Sequence, residues 1–415
     1  MHSIPSTVLS DAGTLAAYLI FAASYLVFAL GKFPGLKIDR PGAAIVGAVA
    51  MVAFGIVPVR GALRTIDFPT IVLLFSMMLI VGSLHLAGFF EWTARAVLHH
   101  LPPRFLLPAV IFTCGILSAF LVNDIVCLVM VPFVLNLTRR MQLPRLPFLL
   151  AVATASNIGS VATITGNPQN MLIGSYSGIH YRDFLASLGP VALIGLFFDW
   201  AVLHWLFRNE LRSSLDSAQP PATGSAPIFG LWKPMLVLSA VILGFLLGAP
   251  PALISALGAA ALLISRTTDS HKLYGEVDWG LLVFFIGLFI IVGGAENAGI
   301  VAKFLMAGRY VNLHASGVFV VLTAAISNLV SNVPAVMVLK SLVPSFANPH
   351  KGWLMLAMAS TLAGNLTITG SVANIIVVET AKPELQIGFR QYFRAGLPIT
   401  LGTLLIGWAW LQFLA

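Results

Sequence analysis

The octapeptide TITGNPQN at residues 163–170 has a counterpart, TITGSVAN, at residues 367–374, and in both copies an Asn follows the Gly by four positions. Each copy interrupts a long apolar stretch and is surrounded by other small polar residues. Paired polar breaks in corresponding hydrophobic segments are typical of membrane proteins built from two repeats, in which they mark a site near the middle of the bilayer. The octapeptides therefore predict two related halves and a binding site where the halves meet.

The composition is that of a membrane protein. Of the 415 residues, 58% are hydrophobic and 9% are charged, and the mean hydropathy is +0.95. A soluble domain carries about 25% charged residues, so this chain could not cover a water-facing surface. Apolar runs such as 14–31, 68–84 and 279–293 approach the roughly 20 residues that cross a bilayer as one helix. We therefore predict an all-α protein with about ten crossings.

The charged residues and the cysteines limit the functions that this chain can have. The net charge is +8, but the basic residues lie in short loops between apolar segments, which is the pattern of a topology signal and not of nucleic acid binding. The two cysteines, Cys114 and Cys127, lie in apolar sequence, whereas a closed metal site needs about four ligands. We therefore predict no metal site, no cofactor and no nucleic acid partner.

The order of segments repeats along the chain. We predict a first repeat over 1–208, a polar cytoplasmic linker over 209–228 and a second repeat over 229–415. The apolar stretches 105–137 and 313–346, each broken by polar residues, are expected to form re-entrant hairpins. A discontinuous transmembrane helix follows each hairpin and carries one copy of the octapeptide.

The distribution of charge supports this topology. With two hairpins, each half crosses the membrane five times, an odd number, so the halves insert in opposite orientations. If both termini lie outside, 16 of the 23 Lys and Arg residues fall in internal loops, six in external loops and Lys340 in the second hairpin. Basic residues favour the cytoplasmic side of a membrane protein. We therefore predict inverted-topology repeats with external termini.

The breaks carry the chemistry of the predicted site. Backbone that leaves helical geometry in a membrane is tolerated only where protein or a water-filled cavity satisfies its polar groups. The N-termini of the resulting half-helices point partial positive charge into the gap. The candidate binding residues are Asn123, Asp124, Asn157, Gly159, Ser160, Thr163, Thr165, Gly166, Asn167, Asn170, Ser331, Asn332, Asn365, Thr367, Thr369, Gly370, Ser371 and Asn374.

These residue types indicate the kind of solute. Hydroxyls, amides and helix dipoles suit an oxyanion or a neutral polyhydroxy solute, and backbone carbonyls suit Na⁺. Asp124 is the candidate for proton coupling, because an intramembrane carboxylate is costly and marks function by default. The alternatives are that the small polar residues serve helix packing and that Asp124 only caps a helix. Asp199 and Lys340 also lie in apolar sequence, near enough to helix ends to reach the interface.

Two stretches carry a resemblance to a known family. AFLVND at residues 119–124 and SNIGSVATITGNPQN at residues 156–170 resemble the arsenite and antimonite efflux permease branch of the ion transporter superfamily. That superfamily also includes sodium/proton antiporters and divalent-anion/sodium symporters. The resemblance implies a scaffold domain beside a moving transport domain, with Asn123, Asp124 and residues 159–163 lining the site. Where the symporters have a Ser-Asn-Thr motif, this chain has only Ser331-Asn332-Val333.

The expected function is therefore transport, not enzymatic catalysis, since no metal-binding or nucleophile motif such as His-Glu-x-x-His is present in the sequence. The resemblance favours export of arsenite or antimonite, as the trihydroxide, across the plasma membrane in exchange for protons. Asn and Thr side chains would bind the hydroxyls, and Asp124 would carry the proton. The alternatives are a Na⁺- or H⁺-coupled carrier of an inorganic or carboxylate anion and a passive channel. Association with a cytoplasmic ATPase subunit or a second copy stays open.

Overall fold

The computed structural model describes residues 10–31, 37–98, 101–215, 230–264, 269–300, 303 and 312–413. The described part of the chain is almost entirely helical, which confirms the predicted all-α class. The helices of the first half are α1 (Asp11–Leu30), α2 (Arg40–Ala53), α3 (Val59–Thr65), α4 (Phe68–Leu86), α5 (Phe89–Leu98), α6 (Leu106–Phe120), α7 (Asn123–Arg140), α8 (Arg145–Ser160), α9 (Pro168–Ser177), α10 (Tyr181–Leu206) and α11 (Arg208–Leu215).

The second half repeats this order. Short 3-10 turns at Val343–Ser345, Ala363–Leu366 and Ile368–Gly370 join some of its helices. The helices are α12 (Trp232–Leu246), α13 (Pro251–Leu263), α14 (Ser270–Gly275), α15 (Trp279–Asn297), α16 (Ser316–Val330), α17 (Asn332–Leu339), α18 (Pro349–Leu362), α19 (Val372–Ala381) and α20 (Phe389–Phe413).

The predicted breaks are present in both halves. Helices α6 and α7 form the first hairpin, and α16 and α17 form the second. The octapeptides separate α8 from α9 and α18 from α19, so both discontinuous helices are confirmed. Of the predicted linker, residues up to Leu215 belong to α11, and residues 216–229 lie outside the described part of the chain.

Six of the described helical segments are long and apolar enough to cross a membrane, and shorter apolar helices lie between them. The predicted ten crossings correspond to α1, α2, α4, α8–α9 and α10 in the first half and to α12, α13, α15, α18–α19 and α20 in the second. The long segments are Asp11–Leu30, Phe68–Leu86, Pro103–Phe120, Tyr181–Leu206, Trp279–Asn297 and Phe389–Phe413.

Helix packing divides the molecule into two bodies. In the first body, α2 packs against α15 and α4 packs against α13, so that each contact pairs the second crossing of one half with the third crossing of the other. Small residues allow this close approach. A side chain at Gly287 on α15 would press against the backbone of Ala44 on α2. One at Gly258 on α13 would contact Ile80 on α4 and press against Val241 on α12. We call this body, which comprises α1, α2, α4, α12, α13 and α15, the scaffold.

The second body contains the hairpins and the discontinuous helices. Its main contacts join α6 to α8, α7 to α19, and α10 to α20, so both halves again contribute. Gly159 on α8 lies against the backbone of Gly115 on α6, leaving no room for a side chain. We call this body, which comprises α6 to α10 and α16 to α20, the hairpin body.

The tips of the two hairpins share an unusual backbone conformation. Val122 has a φ of 58° and Ser331 a φ of 79°, and each residue immediately precedes the first residue of its second arm, Asn123 or Asn332. Positive φ costs a residue with a Cβ roughly 1–2 kcal/mol, and for a β-branched residue such as Val it is a genuine outlier. Strain of this kind persists only where the surrounding structure enforces it, and it concentrates at functional sites.

Candidate functional site

A cavity of about 230 Å³ lies where the two hairpin tips face the scaffold. Both discontinuous helices also reach it, through the first residues of α9 and α19. The scaffold contributes the N-terminal ends of α2 and α15. The lining residues are Arg40, Pro41, Asn123, Asp124, Pro168, Gln169, Asp278, Gly280, Leu281, Phe284, Ser331, Asn332, Val333, Ser371 and Val372.

Four helices of the hairpin body begin at this cavity. These are α7, α9, α17 and α19, whose first residues are Asn123, Pro168, Asn332 and Val372. The first N–H groups of a helix have no partner within the helix, and the helix dipole adds partial positive charge at this end. The arrangement therefore offers backbone donors from both halves to one small volume.

Three charged side chains line the same cavity. Asp124 is the second residue of α7, whereas Arg40 and Asp278 belong to the scaffold. Arg40 donates through Nε to the carbonyl of Phe28, at 3.0 Å, and Asp278 accepts from the N–H of Leu281, at 2.9 Å, as the N-cap of α15. The lining thus contains two carboxylates and one guanidinium, and they face each other across the two bodies.

Asn157 connects the two halves behind the cavity. Its side-chain oxygen accepts from Asn123 Nδ2 and Ser371 Oγ, both at 3.0 Å. Its side-chain nitrogen donates to the side-chain oxygens of Asn365 and Asn374, both at 2.9 Å. Asn157 is fully buried, so this network offsets the cost of placing an amide in a membrane protein interior. It also joins the first hairpin to the break of the second discontinuous helix.

The last residue of each octapeptide holds its own break together. Asn170 donates through Nδ2 to the carbonyls of Ser160 and Thr163, at 3.0 Å each. Asn374 donates to the carbonyls at the same spacing, Gly364 at 2.7 Å and Thr367 at 2.9 Å. These contacts satisfy backbone groups that unwinding leaves without helical partners. The two residues therefore brace the breaks and lie behind the cavity lining.

A second polar cluster contains two residues that sequence reasoning missed. Gln169 donates to the hydroxyl of Thr361 at 3.1 Å, and Asn167 donates to the same hydroxyl at 3.2 Å. With the Asn332 amide oriented to satisfy both of its atoms, its nitrogen donates to Gly370 O at 3.0 Å and its oxygen accepts from Gln169 Nε2 at 3.2 Å. Gln169 lies inside the first octapeptide, but its counterpart in the second copy is Ala, so the repeat gave no signal for it.

Several of the predicted binding residues lie away from the cavity. The Thr163 hydroxyl bonds to the carbonyl of Ala119, and the Thr165 hydroxyl lies 2.9 Å from Tyr181 Oη. Thr367 and Thr369 contact each other at 3.5 Å. Among the predicted residues, those that line the cavity are Asn123, Asp124, Ser331, Asn332 and Ser371, and those that support the lining are Asn157, Ser160, Gly166, Asn167, Asn170, Asn365, Gly370 and Asn374.

Lys340 and Asp199, the other two charged residues that lie in apolar sequence, have different surroundings. Lys340, at the end of the second hairpin, lies 3.6 Å from Glu296 on α15 and 4.1 Å from the ring centroid of Tyr176. Asp199 does not reach the interface. It is fully buried on α10 and lies within hydrogen-bonding distance of the Thr154 hydroxyl.

Inverted repeats, facing hairpins and broken helices around one cavity define a secondary transporter, a class of membrane carriers and not of enzymes. The chain belongs to the citrate transporter family, whose model matches residues 25–363. This places it in the ion transporter superfamily, as the two sequence stretches predicted.

Several relatives match most of the chain. The silicon efflux transporter LSI3 of Oryza sativa subsp. japonica is 30% identical, over 98% of this chain and 98% of its own length. A Dictyostelium discoideum protein named as an arsB transporter is 25% identical, over 90% of this chain and 87% of its own length. A 46 kDa membrane protein of Mycobacterium leprae is 30% identical, over 97% of this chain and 99% of its own.

The fold is also similar to that of a solved structure. The crystal structure of the Alcanivorax borkumensis YdaH transporter, described as having an unusual topology, matches with a TM-score of 0.55. The match covers 96% of each chain at 15% sequence identity. At this identity the likeness concerns the fold alone.

Proposed function

We propose that this transporter exports a small neutral polyhydroxy solute, arsenite or antimonite as the trihydroxide or silicic acid, in exchange for protons. The observation that carries the proposal is the lining of the cavity, in which amide and hydroxyl groups accompany two carboxylates and one guanidinium. Amides and hydroxyls can exchange hydrogen bonds with a ligand that has only O–H groups. The names of the LSI3 and arsB relatives are consistent with such solutes.

Asp124 is the proposed proton carrier. It lies at the start of α7, in the hairpin tip, and it faces the carboxylate of Asp278 in the same cavity. Two like charges close together in a membrane favour the binding of a proton by one of them. A solute entering the cavity would displace this proton, so that solute and proton occupy the site in alternation.

The structure suits one step of such a cycle. With both termini outside, the starts of α2 and α15 belong to the cytoplasmic side. The cavity, lined by Arg40 and Asp278, is then accessible from the cytoplasm. On the opposite side, Asp67 of the scaffold accepts from Ser175 Oγ of α9 at 3.0 Å, and Lys340 pairs with Glu296. We assign this arrangement to the cytoplasm-facing state, which would receive a solute from the cytoplasm for export across the plasma membrane.

A second candidate is the coupled transport of a carboxylate or inorganic anion. Four helix N-termini converge on the cavity, which favours an anion, and the matching family is named for citrate. The charge of the lining opposes this reading, because one guanidinium cannot neutralise two carboxylates and a polyvalent anion together. A singly charged anion bound after protonation of Asp124 would meet a lining without net charge.

Purified protein in vesicles separates the candidates. A lumen more acidic than the medium should drive the accumulation of arsenite or silicic acid, but not of citrate, and an imposed Na⁺ gradient should not. A passive channel cannot concentrate a neutral solute. Accumulation without ATP would also show that no ATPase subunit is required. Citrate accumulation in place of the neutral solutes would exclude the proposal.

The Asp124→Asn variant tests the proton carrier. It should lose accumulation driven by the pH gradient by at least tenfold, yet keep the exchange of labelled for unlabelled solute, which needs no net proton movement. Asp183→Asn, an exposed carboxylate at the start of α10, is the matched control and should retain both activities. Unchanged pH-driven export by Asp124→Asn would rule out the proposed role.

A further inference from the structure

Asp199 is a buried carboxyl group that the proposed cycle does not use. It lies on α10, seven residues before the end of the helix, which corresponds to about 10 Å along the axis. It is fully buried in the hairpin body, and its Oδ1 atom forms no hydrogen bond with any described residue. No basic partner is found for it in the described part of the chain. An unpaired carboxylate in such surroundings is very costly, so the group must be neutralised.

The contacts of Thr154 indicate how it is neutralised. The Thr154 hydroxyl lies 2.9 Å from the carbonyl oxygen of Leu150 and 3.1 Å from Asp199 Oδ2. A hydroxyl has only one proton to donate, and the carbonyl can only accept. Both hydrogen bonds form together only if Asp199 carries a proton and donates it to Thr154. The geometry therefore describes Asp199 as a neutral carboxylic acid.

This group is connected to the binding site by a short series of hydrogen bonds. Asn365 Nδ2 donates to the carbonyl of Thr154 at 3.3 Å, and the Asn365 oxygen accepts from Asn157. Asn157 in turn contacts Asn123 at the cavity. A change at Asp199 that moves Thr154 would thus act on the residue that joins the two halves.

The described side chains that interact with Asp199 come from α6, α8 and α20 and are neutral. The ionisable side chains that interact with it electrostatically are Cys114 on α6 and Tyr392 on α20, and Cys127 on α7 lies close to both. Thr154 belongs to α8. None of these carries a charge that could stabilise a carboxylate, so its proton is the natural neutralising ion.

We propose that Asp199 is a second protonatable coupling group of the transporter, distinct from Asp124. In the cytoplasm-facing state it holds a proton. When it releases this proton to water, the Thr154 O–H turns from Leu150 O to Asp199 Oδ2 and stabilises the carboxylate that remains. Leu150 O keeps its helical hydrogen bond throughout. This inference rests on the proposed proton coupling and adds a second proton to each cycle.

Infrared difference spectroscopy tests the protonation of Asp199 without any solute. At pH 7 the wild-type protein should show the C=O band of a protonated aspartic acid, identified by ¹³C-labelled aspartate. In an Asp124→Asn background, which removes the other proposed proton carrier, the band should remain. Adding Asp199→Asn to that background should abolish the band, and adding the matched control Asp183→Asn should not. An Asn amide can donate to Thr154 as the acid does, so the variant should fold. If Asp199→Asn does not fold, the band of the Asp124→Asn protein is compared with that of the wild type. The part of the band that remains is the contribution of Asp199. A band that persists in a folded protein carrying both Asp124→Asn and Asp199→Asn overturns the inference.

Transport measurements test the coupling role. Asp199→Asn should transport about one proton fewer per solute in vesicles while it still exchanges labelled solute. Thr154→Val removes the hydroxyl that stabilises the carboxylate and should move the pH profile of transport about one unit upward. Thr138→Val is its control, because the Thr138 hydroxyl bonds only to the helix carbonyls of Val134 and Leu135. An unchanged proton ratio in Asp199→Asn overturns the coupling role alone, whereas a wild-type protein without pH-driven transport overturns the proposed function as well.

Discussion

Asn170 and Asn374 make the same pair of hydrogen bonds in opposite halves of the molecule. Each side chain donates to the carbonyls ten and seven residues before it, across an unwound octapeptide. The two octapeptides differ at three of their last four residues and share this Asn. The repeat therefore preserves the group that satisfies the unwound backbone, while the groups that face the cavity differ between halves.

Replacing these braces should destabilise the fold. Asn374→Ala removes three buried hydrogen bonds, one of them from Asn157, and leaves two carbonyls unsatisfied, which costs roughly 1–3 kcal/mol for each orphaned group. Asn374→Asp should be worse, because its carboxylate cannot donate and would face two carbonyl oxygens. Thermal unfolding in detergent measures both effects. Asn136→Ala, on an exposed face of α7, should leave the midpoint nearly unchanged. Equal midpoints for Asn374→Ala and Asn136→Ala would contradict the bracing role.

A substitution at the strained tip of the second hairpin should stabilise the folded protein. Ser331 has a φ of 79°, and its side chain forms no capping hydrogen bond, so Ser331→Gly should raise the free energy of unfolding by about 1 kcal/mol. Ser239→Gly, in the exposed interior of α12, should lower it by roughly 0.5–1 kcal/mol. Thermal unfolding of the two variants measures whether their free energies of unfolding change in opposite directions. A loss of stability in Ser331→Gly would show that the tip is not strained.

Lys340 provides a test of the closed external side. Its ammonium group contacts Glu296 of the scaffold and the ring of Tyr176, so Lys340→Gln should weaken the contact between the two bodies and favour the outward-facing state. The measurement is the alkylation rate of a cysteine placed at Val372 in the cavity, with an impermeant reagent added outside. The rate should rise several-fold, and Lys351→Gln, at a partly exposed residue of α18, should not change it. A fall in the rate would contradict the assigned closure.

An ion bridge between the halves predicts a dependence of stability on pH. The Arg139 guanidinium, through a hydrogen bond and its charge, lowers the pKa of Glu384 below its ordinary value, and Arg145 contributes to the shift. A group whose pKa is lowered on folding contributes stability above its ordinary pKa, and this is lost as the pH falls through the lowered value. Glu384→Gln should therefore reduce the melting temperature at pH 7 and have progressively less effect below about pH 4.

The control for this measurement is Glu379→Gln, which removes a carboxylate paired with the exposed Lys382. Exposed pairs contribute little to stability. A difference between wild type and Glu384→Gln that grows toward low pH would have the wrong sign and would contradict the bridge.

The breaks in the two discontinuous helices could be predicted from the sequence because the same residue types occur at both of them. Unwinding requires glycine and small polar residues, and their presence in two apolar segments is visible without a structure. It could not separate residues that bind from residues that brace, since Asn123 and Asn170 have the same side chain. Only the direction of the amide in the folded protein distinguishes the cavity lining from its support.

The sequence did not predict that the charged residues of the scaffold line the cavity, and the physical reason is different. Arg40 and Asp278 stand at helix starts beside polar loops, where basic residues set topology and Asp caps helices. Their place in the cavity follows from the packing of α2 against α15, which joins residues more than 200 positions apart. Asp199 was visible as a charge in apolar sequence, but whether it was buried or at the interface depended on the rotation of α10.

The network around Asn157 also constrains how this protein can be made. While the first half emerges from the ribosome, Asn157 has neither Asn365 nor Asn374 to accept from it, because both belong to the last quarter of the chain. Until they are synthesised, α8 must keep an unmatched amide within the lipid or remain near the water of the insertion machinery. Completion of the Asn157 network is therefore a late step of biogenesis, which needs the second repeat to be present.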